Sequence, residues 1–146
     1  MKGFEKVFEK IENDAKEILK EFDLSSIEKI QNTYEIAKNY YDNGKYTEAE
    51  EIFKILIVKD PHLKIFWYGL ASCQQAKKKY PQALSSWAIL SLLDEKDPFS
   101  HFYAAECYFS LKDSSNAFLA LDEVEKRIDK KHPLFEKVNY FKVLWK

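Results

Sequence analysis

The chain has 146 residues, of which 46% are hydrophobic and 16% aromatic, so it is long enough and apolar enough to form one compact domain. Its 23 basic and 24 acidic residues give a net charge of −1, and this balance argues against nucleic acid or an anionic membrane as the main partner. There is no run of about 18 apolar residues, so no transmembrane helix is predicted. Charges recur through every turn of the N-terminal segment, so no signal peptide is predicted either. We therefore expect a cytoplasmic location without stable membrane insertion.

The first predicted element is an amphipathic helix over residues 2–22. Its apolar side chains recur at helical spacing on one face, and the opposite face mixes acidic and basic residues, whereas a membrane-surface helix would be mainly basic. The apolar stripe therefore requires protein contact, either by folding back onto the following helices or by pairing with a second copy in a homodimer. We assign residues 1–24 to this N-terminal segment. The candidate dimer-interface residues are Phe4, Val7, Phe8 and Ile11.

A 34-residue period organises residues 25–130. Small residues recur where two helices approach closely, and large apolar residues recur where a gap must be filled. This period is typical of tetratricopeptide (TPR) repeats, in which each helix–turn–helix unit buries its apolar face by stacking on its neighbours. The matching positions are Ala37, Ala71 and Ala105; Ala49, Ala83 and Ala117; and Phe53, Trp87 and Leu121.

The sequence thus predicts an all-α TPR helical solenoid of three repeats, at about 30–63, 64–97 and 98–130, with an N-terminal helix and a C-terminal capping helix in residues 131–146. Ser25-x-x-Glu28 predicts a capping box at the start of repeat one, and Asn43-Gly44 predicts the end of its first helix. In repeat two, Lys78-Lys79 stands where repeat one has glycine. The predicted helix pairs run from the Ser25 cap to about 43 and over 47–58, then 63–77 and 81–93, then 98–111 and 115–128.

Signals for an enzyme are weak. With three glycines, the chain has no glycine-rich loop to hold a phosphate. Its histidines are scattered and stand in no HExxH or CxxC context, so neither a metal nor a cofactor is expected. The cysteines occupy equivalent repeat positions and are expected to be buried thiols in a reducing compartment. The histidines are His62, His101 and His132, and the cysteines are Cys73 and Cys107.

The first helices of the repeats predict the binding surface. In stacked helix pairs they line the concave side, and aromatic side chains left there usually await a partner. A surface of tyrosines and phenylalanines with few charges suits an extended, proline-containing peptide. For any single ring of the set, the alternative is that it is buried in the core. The competing TPR binding mode, in which basic residues bind the C-terminal carboxylate of a peptide, is disfavoured, because Lys38 is the one basic residue among these positions. The candidates are Tyr34, Lys38, Tyr41, Ile65, Tyr68, Ser72, Gln75, Phe99, Phe102, Glu106 and Phe109.

Three motifs within the repeats are more specific: Tyr34-x-x-Ala37-x-x-x-Tyr41-x-x-Gly44-Lys45-Tyr46-x-x-Ala49, then Phe66-x-x-Gly69-Leu70-x-x-Cys73-x-Gln75-Ala76, then Ala104-Ala105-Glu106-Cys107. Over roughly residues 25–125 the chain resembles the class II chaperones of bacterial type III secretion, which serve the translocator proteins. The resemblance implies an ATP-independent cytoplasmic chaperone that keeps hydrophobic translocators soluble before export.

In the family that the chain resembles, the groove binds a short segment of the form Pro-x-Leu-x-x-Pro. The resemblance implies that Tyr34, Tyr41 and Tyr46 belong to its pockets, and that the N-terminal helix mediates dimerisation. The alternative is a TPR scaffold that joins two folded proteins through the convex face or the N-terminal stripe. Such a scaffold would be indifferent to the groove tyrosines.

Overall fold

A computed structural model describes residues 2–146, with Lys2 described by its backbone alone. Within that range the chain forms eight α-helices and one 3₁₀ turn, and no strand is present, so the all-α prediction is confirmed. The helices are α1 (Lys2–Ala15), α2 (Ile27–Asp42), α3 (Tyr46–Lys59), α4 (Lys64–Ala76), α5 (Tyr80–Leu93), α6 (Pro98–Ser110), α7 (Ser114–Glu125) and α8 (Leu134–Leu144).

The contacts divide the chain into two compact units. The N-terminal unit ends at Lys79 and contains α1 to α4, and the C-terminal unit begins at Tyr80 and contains α5 to α8. In the N-terminal unit, α3 packs against α2, α4 and α1. In the C-terminal unit, α6 packs against both α5 and α7, and α8 contacts α7.

The N-terminal helix is shorter than predicted. It ends at Ala15, and a separate 3₁₀ turn follows at Ile18–Glu21. Both Ile11 and Ala15 are buried, and α1 packs on α3 of the same chain, so the apolar stripe folds back onto its own unit.

The cap of α2 lies one residue beyond the predicted one. Ser26 is the N-cap, and its Oγ accepts a hydrogen bond from the backbone N–H of Lys29 at 3.2 Å. Ser25 instead donates its backbone N–H to Asp23 Oδ1 at 3.0 Å. The predicted capping box at Ser25 and Glu28 is therefore wrong by one position, because Ser25 forms its hydrogen bond within the preceding turn.

The turns after α2, α4 and α6 share one backbone conformation. Gly44, Lys78 and Lys112 have φ values of 76°, 62° and 63°, and these positions are 34 residues apart. In each case the next residue donates its N–H to the equivalent carbonyl of the preceding helix, at 2.8 Å from Lys45 and from Lys79. The left-handed conformation costs a lysine roughly 1–2 kcal/mol, so helix packing imposes this turn even where glycine is missing.

Small residues allow the helices of the N-terminal unit to approach closely. A Cβ built on Gly69 would lie 2.3 Å from the Phe53 ring, so only glycine fits where α4 crosses α3. Ala37, Ala49 and Ala71 are fully buried, as the repeat pattern predicts. In the C-terminal unit a second core joins α6, α7 and α8 around Leu121, Val124, Leu134 and Val138.

Candidate peptide-binding surface

A tyrosine pair flanks the turn between α2 and α3. The rings of Tyr41, at the end of α2, and Tyr46, at the start of α3, meet edge to face with centroids 5.2 Å apart. The tight turn at Gly44 brings these two positions together. Both rings are half-buried, so each keeps an accessible part that a ligand can contact.

Tyr34 connects α2 to the core and to α4. Its ring centroid lies 6.1 Å from that of Phe53 and 6.1 Å from that of Phe66. Burial, with a smaller effect of the nearby Glu35 carboxylate, raises the pKa of the Tyr34 hydroxyl above its ordinary value. The side chain therefore stays neutral and presents a half-buried ring with a polar end.

The other candidates of the N-terminal unit also keep accessible surface. Lys38 is exposed on α2, and Ile65 at the start of α4 is 44% exposed. Tyr68, Ser72 and Gln75 continue along α4 and are half-buried. The sequence prediction thus selected aromatic, aliphatic and polar side chains on α2 and α4 that remain at least partly accessible.

Phe102 was predicted as a peptide-binding residue, and the structure corrects this. Its side chain is 3% exposed and belongs to the core of the C-terminal unit. Its ring stacks on Phe141 of α8 at 5.6 Å and meets Tyr103 edge to face at 5.5 Å. The C-terminal helix supplies a partner that the repeat pattern did not reveal.

The remaining candidates on α6 are partly covered within their own unit. Phe109 is 39% exposed, yet one face of its ring stacks on Trp145 with centroids 4.3 Å apart. Phe99 is half-buried and contacts His132 at 5.6 Å. Glu106 is half-buried. A ligand would therefore find less free aromatic surface on α6 than the sequence predicts.

The candidate dimer residues differ from one another in burial. Phe4, Val7 and Phe8 are half-buried, and the Phe4 ring lies 5.9 Å from both the Phe8 and the Trp67 rings. Ile11 is 4% exposed inside its own unit, so its assignment to a dimer interface is wrong. The first half of α1 retains surface for a second copy, whereas the position of Ile11 does not.

A buried carboxylate was not predicted from the sequence. Glu50 on α3 is 5% exposed and lies 2.8 Å from Lys77 Nζ, 3.7 Å from Lys54 Nζ and 3.6 Å from Lys79 Nζ. Burial alone would raise the pKa of Glu50, but the three ammonium groups outweigh it and hold that pKa below its ordinary value. The sequence feature that could have indicated this cluster is the pair Lys77 and Lys79 beside the turn after α4. This cluster ties the turn to α3.

The cysteine prediction is confirmed in its structural part. Cys73 and Cys107 are both buried and free. Burial raises the pKa of each thiol to about 12, so neither is a reactive nucleophile at neutral pH. Among residues 2–146, none of the helices has the length and apolar content needed to cross a membrane.

Comparison with known families identifies the repeats. A tetratricopeptide repeat model matches residues 34–100. Low calcium response locus protein H of Yersinia pestis is 37% identical over 82 residues, which are 56% of this chain and 49% of that protein. The chain thus spans about half the length of the curated relatives it matches.

Solved structures of similar fold include complexes. The type III secretion chaperone SycD of Yersinia enterocolitica, in complex with a peptide of the translocator YopD, aligns with a TM-score of 0.74 at 29% identity, over 84% of this chain and 93% of SycD. PcrH of Pseudomonas aeruginosa, in complex with the chaperone binding region of PopD, aligns with a TM-score of 0.72 at 27% identity, over 82% of this chain and 90% of PcrH. These likenesses confirm the TPR fold and the predicted resemblance to translocator chaperones.

Proposed function

From its likeness to the translocator chaperones, we propose that this chain is a cytoplasmic, ATP-independent chaperone of bacterial type III secretion. In this proposal it binds an extended, Pro-x-Leu-x-x-Pro-like segment of a hydrophobic translocator and keeps that protein soluble before export. The observation that carries the proposal is the accessible aromatic surface on α2 and α4, in a fold whose solved relative SycD was captured with a translocator peptide.

The chemistry of this surface suits such a segment. A proline-containing strand is already extended and loses little conformational entropy on binding, and the tyrosine rings accept its pyrrolidine rings. The exposed side chain of Ile65 offers an apolar contact for the leucine of the motif. Because exposed apolar area costs about 25 cal/mol per Å², covering a client's apolar segment removes a strong drive to self-association.

The proposed site is revised by the structure. It keeps all eight candidates of the N-terminal unit and the three accessible ones on α6, and it omits Phe102. The chemistry is non-covalent binding, and we propose no enzymatic activity and no cofactor. The proposed peptide-binding residues are Tyr34, Lys38, Tyr41, Tyr46, Ile65, Tyr68, Ser72, Gln75, Phe99, Glu106 and Phe109.

We also propose that the chain forms a homodimer through the accessible part of α1, which carries Phe4, Val7 and Phe8. One solved form of the similar chaperone SycD is described as an alternative dimer. The half-burial of these three side chains leaves apolar area that a second copy would cover.

Isothermal titration with a synthetic peptide tests the binding proposal. The probe contains Pro-Ala-Leu-Ala-Ala-Pro flanked by Ser-Gly pairs. We expect Tyr41→Ala to weaken binding by roughly 1–3 kcal/mol, because a half-buried aromatic anchor is lost. The matched control is Tyr140→Ala, which removes a tyrosine that is 63% exposed on α8 and should leave the affinity unchanged.

Circular dichroism would establish that both variants are folded. No binding to the wild-type chain, or equal affinity of the wild type and a folded Tyr41→Ala variant, would contradict the proposal. The second of these outcomes is the one that the scaffold alternative predicts.

A further inference from the structure

Three lysine side chains of the N-terminal unit surround the buried carboxylate of Glu50. Lys77 Nζ lies 2.8 Å from Glu50 Oε1, and Lys79 Nζ lies 3.6 Å from the same oxygen. Lys54 Nζ lies 3.7 Å from the other oxygen, Oε2. One carboxylate therefore faces three ammonium groups, and the two groups from the turn after α4 share one of its oxygens.

The left-handed turn after α4 brings two of these lysines together. Lys77 and Lys79 stand on either side of Lys78, whose φ is 62°. Their side chains both reach Glu50, whereas Lys78 is exposed and forms no ion pair with any side chain that the structure describes. The turn thus contains a clustered lysine next to an ordinary surface lysine.

Lys79 is the lysine for which the cluster has no carboxylate of its own. Lys54 is paired with Asp14 at 2.9 Å. Lys77 donates a hydrogen bond of 2.8 Å to Glu50. These pairs use both carboxylates of the cluster, so Lys79 keeps only its longer contact with an oxygen that Lys77 already occupies. Three ammonium groups against two carboxylates leave a surplus positive charge.

The surplus ammonium group loses its proton more easily than an ordinary lysine. Partial burial and the positive charges of Lys77 and Lys54 outweigh the attraction of Glu50, and together they lower the pKa of Lys79 below its ordinary value. The hydrogen bond to Glu50 instead raises the pKa of Lys77. These directions agree with the distances, because the lysine nearer to the carboxylate holds its proton more firmly.

The side chain of Lys79 is also accessible to a reagent. It is 43% exposed, compared with 21% for Lys77 and 17% for Lys54. A lysine becomes a nucleophile when it is neutral, and a neighbouring cationic group favours the neutral form. Within the cluster, Lys79 is the residue that combines an easily lost proton with access from solvent.

We propose that Lys79 is a site of acylation by acyl phosphates, small anions that the surplus positive charge of the cluster attracts. The neutral Nζ attacks the carbonyl carbon of the acyl phosphate. A C–N bond forms, the bond between that carbon and the phosphate oxygen breaks, phosphate leaves with the electron pair, and the proton on nitrogen passes to solvent. This inference does not depend on the proposed chaperone function.

The cluster can accept this modification without opening. Acylation removes the charge of Lys79. Glu50 keeps its hydrogen bond from Lys77 and its ion pair with Lys54, so the buried carboxylate is not left without a partner. The repulsion between neighbouring ammonium groups also decreases. The reaction therefore requires only the folded chain and the acyl donor.

Mass spectrometry of the full chain treated with acetyl phosphate tests the inference. Amines that have not reacted are afterwards capped with deuterated acetic anhydride in denaturant, and fragmentation of chymotryptic peptides gives the rate at each lysine. We expect Lys79 to react at least about fivefold faster than Lys78, and its rate to rise at a lower pH, because more of its amine is neutral. Equal rates, or coincident pH profiles, at these two lysines would overturn the inference.

A pair of variants tests the role of the cluster. Lys77→Gln removes the neighbouring charge and leaves Glu50 to Lys79, so acetylation of Lys79 should slow at least about threefold. The matched control Lys78→Gln removes the same charge from the same turn, at a position outside the cluster, and should change the rate by less than about twofold. Circular dichroism would establish that both variants are folded.

Two results with these variants would overturn the proposal. One is an unchanged or faster rate at Lys79 in a folded Lys77→Gln chain. The other is an equal slowing in Lys78→Gln, since the overall charge of the turn, and not the contacts around Glu50, would then govern the reaction. The comparison of Lys79 with Lys78 in the wild-type chain needs no variant, so it decides the question even if Lys77→Gln does not fold.

Discussion

At the scale of the residue, Gly69 has a role that packing alone defines. A side chain there would meet three carbon atoms of the Phe53 ring at 2.3–2.5 Å, and Phe53 is itself 3% exposed. Because Phe53 is buried, either its ring or α4 would have to shift to accept the added carbon atom. The glycine is thus required by a close approach of two helices and not by a turn.

We therefore expect Gly69→Ala to lower the free energy of unfolding by about 1–3 kcal/mol, as overpacking of a core does. The matched control is Gly3→Ala on α1, where the new Cβ would meet nothing within 4 Å and the helix should lose no stability. Urea denaturation followed by circular dichroism measures both variants. Equal midpoints for Gly69→Ala and the wild type would show that the contact with Phe53 relaxes freely.

Individual residues also show which side-chain environments the sequence could predict and which it could not. The repeat register correctly predicted the buried alanines at positions 37, 71 and 105, because a small residue at a helix crossing has one structural meaning. It misplaced Phe102, because a phenylalanine on a first helix fits both a ligand surface and a core, and the choice depends on where α8 packs. Glu50 was missed because its pairing with Lys54, four residues along the same helix, is an ordinary surface pattern, and its other partners, Lys77 and Lys79, are distant in sequence.

At the scale of the element, the helix boundaries were largely predictable. Proline, glycine and serine signals placed most helix ends within one or two residues of those observed. The exception is α1, which ends at Ala15 although apolar residues continue at helical spacing to Phe22. Periodicity does not distinguish one long helix from a helix followed by a 3₁₀ turn on the same core, and here the shorter helix packs on α3.

The dimer proposal is tested on α1. Val7→Lys places a charge in the accessible apolar stretch and should weaken dimerisation at least tenfold, because a lysine ammonium group is costly to bury without a partner. Asn13→Lys adds the same side chain at an exposed polar position of the same helix and should leave the dimer unchanged. Light scattering across a dilution series measures both, and an unaltered mass for Val7→Lys would reject this interface.

At the scale of the whole molecule, the repeat period predicted the fold class, and three motifs within the repeats predicted the resemblance to translocator chaperones. The comparisons confirm both. The period could not predict that residues of α8 would cover part of the aromatic surface on α6, since a capping helix lies outside the repeat.

The most direct test of the chaperone proposal is co-expression with the product of any neighbouring gene that encodes one or two long apolar segments, taken as the candidate translocator. We predict that the translocator moves from inclusion bodies to the soluble fraction and co-purifies with the chain, and that Tyr41→Ala reduces its recovery while Tyr140→Ala does not. A translocator that remains insoluble beside a folded, soluble wild-type chain would contradict the account.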